Sequence, residues 1–463
     1  MSSKPTHYDA IVIGTGQAGP PLAVDLAKAG QNVAIIERKD FGGTCVNTGC
    51  IPTKTLIAHA RVAHVARTAG DFGVTARDVA VDMKQVKARK DRVSESSRLG
   101  VEKMLRTTKN CTVLNGHARF VSNNTLQIGD ERISADKIFI NVGARAAIPK
   151  IDGLDGVPYW TNSTMMNVDF LPEHLVIVGG SYIGLEFAQM YRRFGSRVTV
   201  LQRGPRLITR EDEFVSKAMK ELIDDDGIDV VLGATKIAVE KSDSGIKLRV
   251  SANDRNPEIE ASHLLLATGR VPNTDDLGLE NTSIKINDAG FIEVDDALRT
   301  SLDNVWAIGD CNGRGAFTHT SYNDYEIVAA NLLRNEQRRV SDRIETYAIF
   351  TDPPLARVGM TETEIRTKKI NALVGTRPMS RVGRAHERGE TRGFIKIYVD
   401  ADSKLILGAC LFGIEADEAI HCIVDVMYAK KPYTTITHAM HIHPTVSELI
   451  PTTLEDLRPL EIA

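Results

Sequence analysis

Cys45 and Cys50 stand five positions apart in FGGTCVNTGCIPTK, residues 41–54, in a chain of 463 residues with only six cysteines. Two thiols this close in sequence can make and break one disulfide, so the pair reads as catalytic or metal-binding. A regular helix holds positions i and i+5 too far apart for the ~4.4–6.8 Å Cα separation that a disulfide needs. Val46 to Gly49 should therefore leave helix geometry, with Gly49 as the bend. The other cysteines, Cys111, Cys311, Cys410 and Cys422, are scattered, match no ligand spacing and are too few for a secreted disulfide framework. No metal site is expected from them. Near the other end lies His441-Ile442-His443-Pro444-Thr445-Val446-Ser447-Glu448. Imidazole titrates where a proton must leave one thiol and return to a departing sulfur, and a carboxylate can hold the ring in one tautomer. His443 is read as the acid–base group and Glu448 as its orienting partner.

These residues need a scaffold, and the chain supplies the same supersecondary unit twice. YDAIVIGTGQAGPPLAVDLAKAGQNVAIIE gives an apolar strand, a glycine turn, a helix and a second strand, with Gly14, Gly16 and Gly19 in the turn and Glu37 closing the unit. Glycines let a pyrophosphate approach the N–H groups of a helix start, while the terminal acid can accept from ribose hydroxyls. LVIVGGSYIGLEFAQMYRRFGSRVTVLQR repeats the pattern with Gly179 and Gly184 in the outer places, Ser181 in the middle one, and Gln202 where Glu37 stood. Two dinucleotides are expected. Gln202, with Arg203 and Arg206 behind it, offers neutral and cationic donors where an acid would repel a 2′-phosphate, which favours NADPH while leaving NADH possible.

Two further strands end in glycine, at Gly143 in FINVGARAAIPK and Gly269 in LLLATGRVPNT, and look like crossings between the two nucleotide units. TSLDNVWAIGDC ends a strand at Asp310, whose carboxylate can accept from a polyol hydroxyl. From about Tyr347 the texture changes to alternating strands, GFIKIYVD and LILGACLF, without a glycine fingerprint.

The length allows two to four domains at ~100–200 residues each. Lys+Arg 57 against Asp+Glu 60 gives a net charge of -3 with no dense basic run, which excludes nucleic acid as an expected partner. No apolar run approaches the ~20 residues of a membrane span, and MSSKPTHYDAIVIG lacks the plan of a signal peptide. A cytoplasmic protein is expected.

The two fingerprints, CxxxxC directly after the first, ATGRVPN, AIGD and the terminal HIHPTVSE occur in one order along nearly the whole chain. Together they resemble the class I pyridine nucleotide-disulfide oxidoreductases, which include dihydrolipoamide dehydrogenase, glutathione reductase and mercuric reductase. The resemblance implies an α/β fold of two Rossmann-like dinucleotide-binding domains, for FAD and NAD(P), plus a C-terminal α+β dimerisation domain. The expected divisions are 1–150 with 271–345 for FAD and the central segment, 151–270 for NAD(P), and 346–463 for the interface. It implies that Cys50 is the thiolate against the flavin, that Cys45 is the thiol that meets substrate, and that Gly43 and Thr44 belong to the flavin site. Lys54 and Glu186 would pair beside the flavin, and Tyr182 would cover the nicotinamide pocket. His443 would come from the other subunit of a homodimer, so that the active sites are shared.

Departures from the family narrow the substrate. The chain ends EDLRPLEIA, without the C-terminal cysteine pair of standard mercuric reductases. Val24 stands in the first helix where glutathione reductases carry a peptide-gripping arginine, and Gln202 replaces the acid usual in dihydrolipoamide dehydrogenases. The resemblance is closest to the mercuric-reductase-like branch that lacks the metal-handling cysteines. The expected activity passes electrons from NAD(P)H through flavin and Cys45–Cys50 to a disulfide or small thiol-reactive oxidant. Dihydrolipoamide dehydrogenase, a reductase of Hg(II) or Cu(II), and a redox-responsive flavoprotein with little turnover are the alternatives.

Overall fold

Parallel strands covered on both faces read as continuous apolar runs, and AIVI and VAIIE are two of them. In the computed structural model, which describes residues 5–243, 245–253 and 256–461, they form β1 (Thr6–Ile13) and β2 (Val33–Glu37), joined by α1 (Gly19–Lys28). The start of the polar lead and the last two residues of the chain end lie outside the described residues. Next come α2 (Gly43–Asn47), α3 (Cys50–Thr68), α4 (Met83–Thr107), β3 (Cys111–Asn115), β4 (Ala118–Ser122), β5 (Thr125–Ile128) and β6 (Glu131–Ile140). The sheet runs β3-β2-β1-β6-β5-β4, parallel from β3 to β6.

The chain then leaves through β7 (Ala144–Ala146), β8 (Trp160–Thr161) and α5 (Asn162–Met165) to build the second unit. This comprises β9 (His174–Val178), α6 (Tyr182–Phe194), β10 (Arg197–Gln202), α7 (Glu213–Asp225) and β11 (Asp229–Leu232). An antiparallel sheet of β12 (Ala234–Ser242), β13 (Gly245–Ala252) and β14 (Glu258–Ala261) follows, then β15 (His263–Leu266). The parallel order is β11-β10-β9-β15-β8. The return strand β16 (Arg270–Pro272) pairs antiparallel with β7, so the outgoing and returning crossings at Gly143 and Gly269 lie side by side. β17 (Val305–Ala307) then rejoins the first sheet beside β6, and α8 (Thr318–Leu333) follows.

The last sheet is antiparallel. It holds β18 (Thr346–Ile349), β19 (Leu355–Gly359), β20 (Ala372–Pro378), β21 (Phe394–Asp400), β22 (Ile406–Phe412) and β23 (Arg458–Pro459), with α9 (Glu362–Thr367) after β19. One apolar core joins parts of all three sheets' surroundings. Leu56 and Ala60 of α3 meet Phe187 and Tyr191 of α6, with Leu355 and Phe412 from the last sheet in the same cluster. Each fully buried side chain of that size contributes ~1.5–3 kcal/mol, so the helices that carry Cys50 and Glu186 are held by tertiary packing as much as by propensity. Among the described residues no helix is long and apolar enough to cross a membrane.

Candidate active site

The two cysteines sit on either side of a helix break. α2 stops at Asn47, Thr48 and Gly49 take extended φ of -142° and -129°, and α3 restarts at Cys50. A Cβ at Gly49 would stand 2.8 Å from the Thr44 carbonyl oxygen, so the bend needs a residue without one. Both thiols are free and hydrogen-bond each other. Their environments separate them. The bond from Cys45, the hydroxyl of Thr318 at 3.1 Å and the nearby Lys54 ammonium outweigh burial and bring the Cys50 thiol down to about 6. The same bond to Cys50, together with burial, pushes the Cys45 thiol far up. At neutral pH this arrangement is one thiolate, Cys50, and one thiol, Cys45.

Lys54 lies one turn beyond Cys50 on α3, and its ammonium reaches the Glu186 carboxylate of α6 at 2.7 Å. Glu186 is 4% exposed, and its second oxygen accepts from the backbone N–H of Phe350 at 3.0 Å. The Phe350 ring lies 4.5 Å from the Lys54 ammonium. A buried carboxylate with both oxygens used is rigidly placed.

The two glycine turns have the same construction. Gly14 has φ +100° and Gly179 φ +121°, and a Cβ at either would collide with a neighbouring strand's carbonyl, from Asn141 and Ala267 respectively. Gly19 and Gly184 pack against the carbonyls of Gly14 and Gly179, which seats each helix on its turn. Ser181 has φ -102°, an ordinary value, which explains why the middle place tolerates a side chain. The strand ends also correspond. Glu37 accepts from the Thr15 N–H at 3.0 Å, and the Gln202 amide oxygen accepts from the Gly180 N–H at 3.0 Å. Gln202 keeps the acceptor and drops the charge. Its amide N–H donates to the Arg206 carbonyl at 3.2 Å.

A continuous cleft of about 2840 Å³ runs past both turns and the thiols. Single-ligand sites are usually ~300–1,000 Å³, so this one has room for more than one large ligand. Gly14, Gly16, Glu37, Gly43, Thr44, Gly143 and Asp310 line one part, and Gly179, Tyr182, Gln202, Arg203, Arg206 and Gly269 line another, with Cys45, Cys50, Lys54 and Glu186 between. Gly19 and Gly184 are behind the wall. Asp310 is half-buried, which raises its carboxyl, and faces Arg270 at 3.4 Å. Tyr182 opens α6 with its ring 5.5 Å from that of Phe317.

His443 and Glu448 do not line this cleft. The His443 Nδ1 faces the Glu448 carboxylate at 2.9 Å, and since a carboxylate only accepts, Nδ1 carries the proton and Nε2 is left to exchange one. The ring is 81% exposed.

Three contributors had no signal in the sequence. Asn141 donates to the carbonyls of Gly14 and Gly16 at 3.3 and 3.0 Å and so locks the first turn. Thr318 comes from α8, 268 positions from Cys50. Phe350 comes from the loop after β18.

The sequence pattern of the pyridine nucleotide-disulphide oxidoreductase family matches residues 8–324, and that of the same family's dimerisation domain matches residues 346–454. The chain is 38% identical over 451 residues to the probable pyridine nucleotide-disulfide oxidoreductase RclA of Escherichia coli (strain K12), covering 95% of this chain and 97% of that protein. It is 32% identical over 455 residues to the dihydrolipoyl dehydrogenase of Haloferax volcanii, covering 96% and 95%. Among solved structures, the Cu(II) complex of the HOCl-induced flavoprotein disulfide reductase RclA from Escherichia coli superposes with a TM-score of 0.88 at 36% identity, over 97% of this chain and 99% of that one.

Proposed function

The chain belongs to the pyridine nucleotide-disulphide oxidoreductases and is an FAD-dependent enzyme that uses a nicotinamide dinucleotide, and on that premise we propose that Cys45 and Cys50 deliver its electrons to a disulfide or a small thiol-reactive oxidant. The observation that carries this reading is the Cys45–Cys50 pair across the helix break, with Thr318 on the Cys50 sulfur, in one cleft with two glycine turns. Gly14, Gly16, Gly19, Glu37, Gly43, Thr44, Lys54, Gly143 and Asp310 would hold FAD. Gly179, Tyr182, Gly184, Gln202, Arg203, Arg206 and Gly269 would hold the nicotinamide dinucleotide. The flavin, when bound, supplies two-electron exchange between nicotinamide and sulfur.

The chain's own groups then account for the sulfur chemistry. Cys45, held as a thiol, needs a base, and the exchangeable Nε2 of His443 would take its proton. The Cys45 sulfur attacks one sulfur of the substrate disulfide, a mixed disulfide forms, and the leaving thiolate recovers the proton from His443. Cys50 then attacks the Cys45 sulfur, the second substrate sulfur departs as a thiolate that takes its proton from solvent, and the Cys45–Cys50 disulfide closes. Glu448 fixes the ring throughout. Because His443 lies outside the cleft of its own chain, a second copy would supply it, in keeping with the dimerisation domain.

We assign NADPH as the preferred donor. Gln202 performs the turn-holding job of Glu37 without its charge, and Arg203, Arg206 and Arg210 face the same part of the cleft. A cytosolic location suits a chain whose six cysteines are all free thiols.

Replacing His443 with alanine tests the sulfur reading. Turnover of a disulfide or thiol oxidant should fall ~10²–10⁴-fold, the usual contribution of general acid–base catalysis. The rate at which NADPH reduces the enzyme should not change. A variant with undiminished activity on lipoamide, glutathione disulfide and hypochlorous acid, together with efficient reduction of Hg(II) or Cu(II), would show that metals are the substrate.

A further inference from the structure

Residues 203–212 connect β10 to α7, and they carry three of the arginines that line the cleft, Arg203, Arg206 and Arg210. The near end of this segment is tied to the glycine turn: the Ile208 N–H donates to the Gly180 carbonyl at 2.9 Å, and Gln202 donates to the Arg206 carbonyl. The guanidinium of Arg206 donates to the carbonyls of Thr209 and Glu211, both at 3.3 Å. Ile208 sits at φ +41°, a conformation a β-branched residue avoids unless its surroundings impose it. The far end of the segment is fastened as well.

That end is Glu211 and Asp212, each 3% exposed, and their partners come from the last sheet. Arg357 of β19, 1% exposed, donates to Glu211 through Nε at 2.8 Å and Nη2 at 2.5 Å, and to Asp212 at 3.0 Å. The Tyr347 hydroxyl of β18 donates to the other Glu211 oxygen at 2.5 Å. Asp212 stands at the N-cap of α7 yet caps nothing there; its carboxylate instead accepts from the backbone N–H groups of Glu362 and Thr363 at 3.1 and 2.9 Å. A cluster that only had to join two parts of the molecule would not need to spend the capping group of α7. Tyr347 also stacks on Phe317 at 5.6 Å and 5°, beside Thr318 and against Tyr182, so the cluster borders the thiol and nicotinamide parts of the cleft as well.

We propose that Tyr347 and Arg357 are positioning residues for nucleotide selection: by gripping Glu211 and Asp212 they hold segment 203–212 curled on the glycine turn, with its arginines presented to a 2′-phosphate. This rests on the NADPH assignment. The interface sheet then sets which dinucleotide the second unit accepts.

Adenosine 2′,5′-bisphosphate and 5′-AMP are the probes, titrated calorimetrically into the flavin-loaded protein, so that binding is read apart from turnover. Arg357→Met would leave two buried carboxylates without their cation and endanger folding, so Tyr347→Phe is the variant of choice; it removes one hydrogen bond and keeps the stacked ring. The wild type should prefer the bisphosphate. In Tyr347→Phe its affinity should fall roughly threefold to tenfold, the net worth of one ordinary hydrogen bond, while 5′-AMP changes less than twofold. Glu211→Gln supplies an opposed test. Removing a negative charge beside the cleft should by itself strengthen bisphosphate binding, whereas loosening the segment weakens it. Weaker binding in both variants supports the latch. An unchanged preference in Tyr347→Phe, or a stronger one in Glu211→Gln, overturns the latch while the NADPH assignment stands. A wild type that binds both probes alike removes the assignment and the latch with it.

Discussion

Cys50 is charged at neutral pH because donors surround its sulfur: the Cys45 thiol first, then the Thr318 hydroxyl, with the Lys54 ammonium behind them. The charged form is the deprotonated one, so a thiol lowered to about 6 remains a thiolate above that pH and is lost as pH falls through it. The two-electron-reduced enzyme should therefore show a long-wavelength thiolate-to-flavin absorption whose intensity declines with a midpoint near pH 6. Thr318→Val takes away one donor to the thiolate and should raise that midpoint by roughly half to one pH unit, since ~1 kcal/mol of hydrogen bond corresponds to about 0.7 of a unit. A midpoint that stays put or moves down would show that Thr318 does not donate to Cys50. Cys45→Ser should carry the band without any reductant, because no disulfide can form to consume Cys50. The cysteine spacing made the pair readable from sequence. Its polarity came only through the family resemblance, because Thr318 arrives from a helix start 268 positions away and obeys no spacing rule.

At the scale of elements, what is local in sequence is what could be read. Strand, glycine turn and helix are fixed by neighbours a few positions apart, so both nucleotide units, the helix break at Gly49 and the change of texture near Tyr347 were all visible in the residues themselves. Contacts between units were not, apart from the Lys54–Glu186 pair that the family resemblance implied. Asn141 locks the first turn from the end of another strand, and Arg357 grips a turn 146 positions earlier, with nothing in either local sequence to announce it. The correspondence of Glu37 and Gln202 gives the prediction at this scale. Gln202→Glu keeps the acceptor for the Gly180 N–H but sets a carboxylate against the Arg206 carbonyl and against any 2′-phosphate. Its kcat/KM for NADPH should fall roughly tenfold to a hundredfold, with NADH much less affected, as expected for ~1.4–2.8 kcal/mol of repulsion in a partly screened site. Equal losses for the two nucleotides would mean that the substitution damages the turn and leaves selection untouched.

For the whole molecule, the arrangement of the thiols and the histidine decides how many chains make one active site. The apolar core that unites α3, α6 and the last sheet fixes Cys50 and Glu186 in one cleft, yet His443 lies outside it, beside Met440 and Ile442, which are 100% and 80% exposed. Large apolar side chains so fully exposed next to a candidate catalytic group mark a surface that another chain covers, and the dimerisation domain identifies a second copy. On the proposed mechanism a two-fold dimer would offer two sites, each with thiols from one chain and His443 from the other. Two inactive variants should therefore rescue each other. Cys50→Ser retains a working histidine and His443→Ala retains working thiols, so a mixed dimer holds one complete site and one doubly defective site. Co-expression at equal levels makes about half of the dimers mixed by random pairing, each with half its sites restored, so disulfide turnover should recover to about a quarter of wild type. The same variants purified apart and mixed without subunit exchange should stay inactive. Recovery absent from co-expressed, tag-selected mixed dimers would mean that each chain's histidine serves its own thiols, and that the loop holding His443 reaches the cleft within one chain.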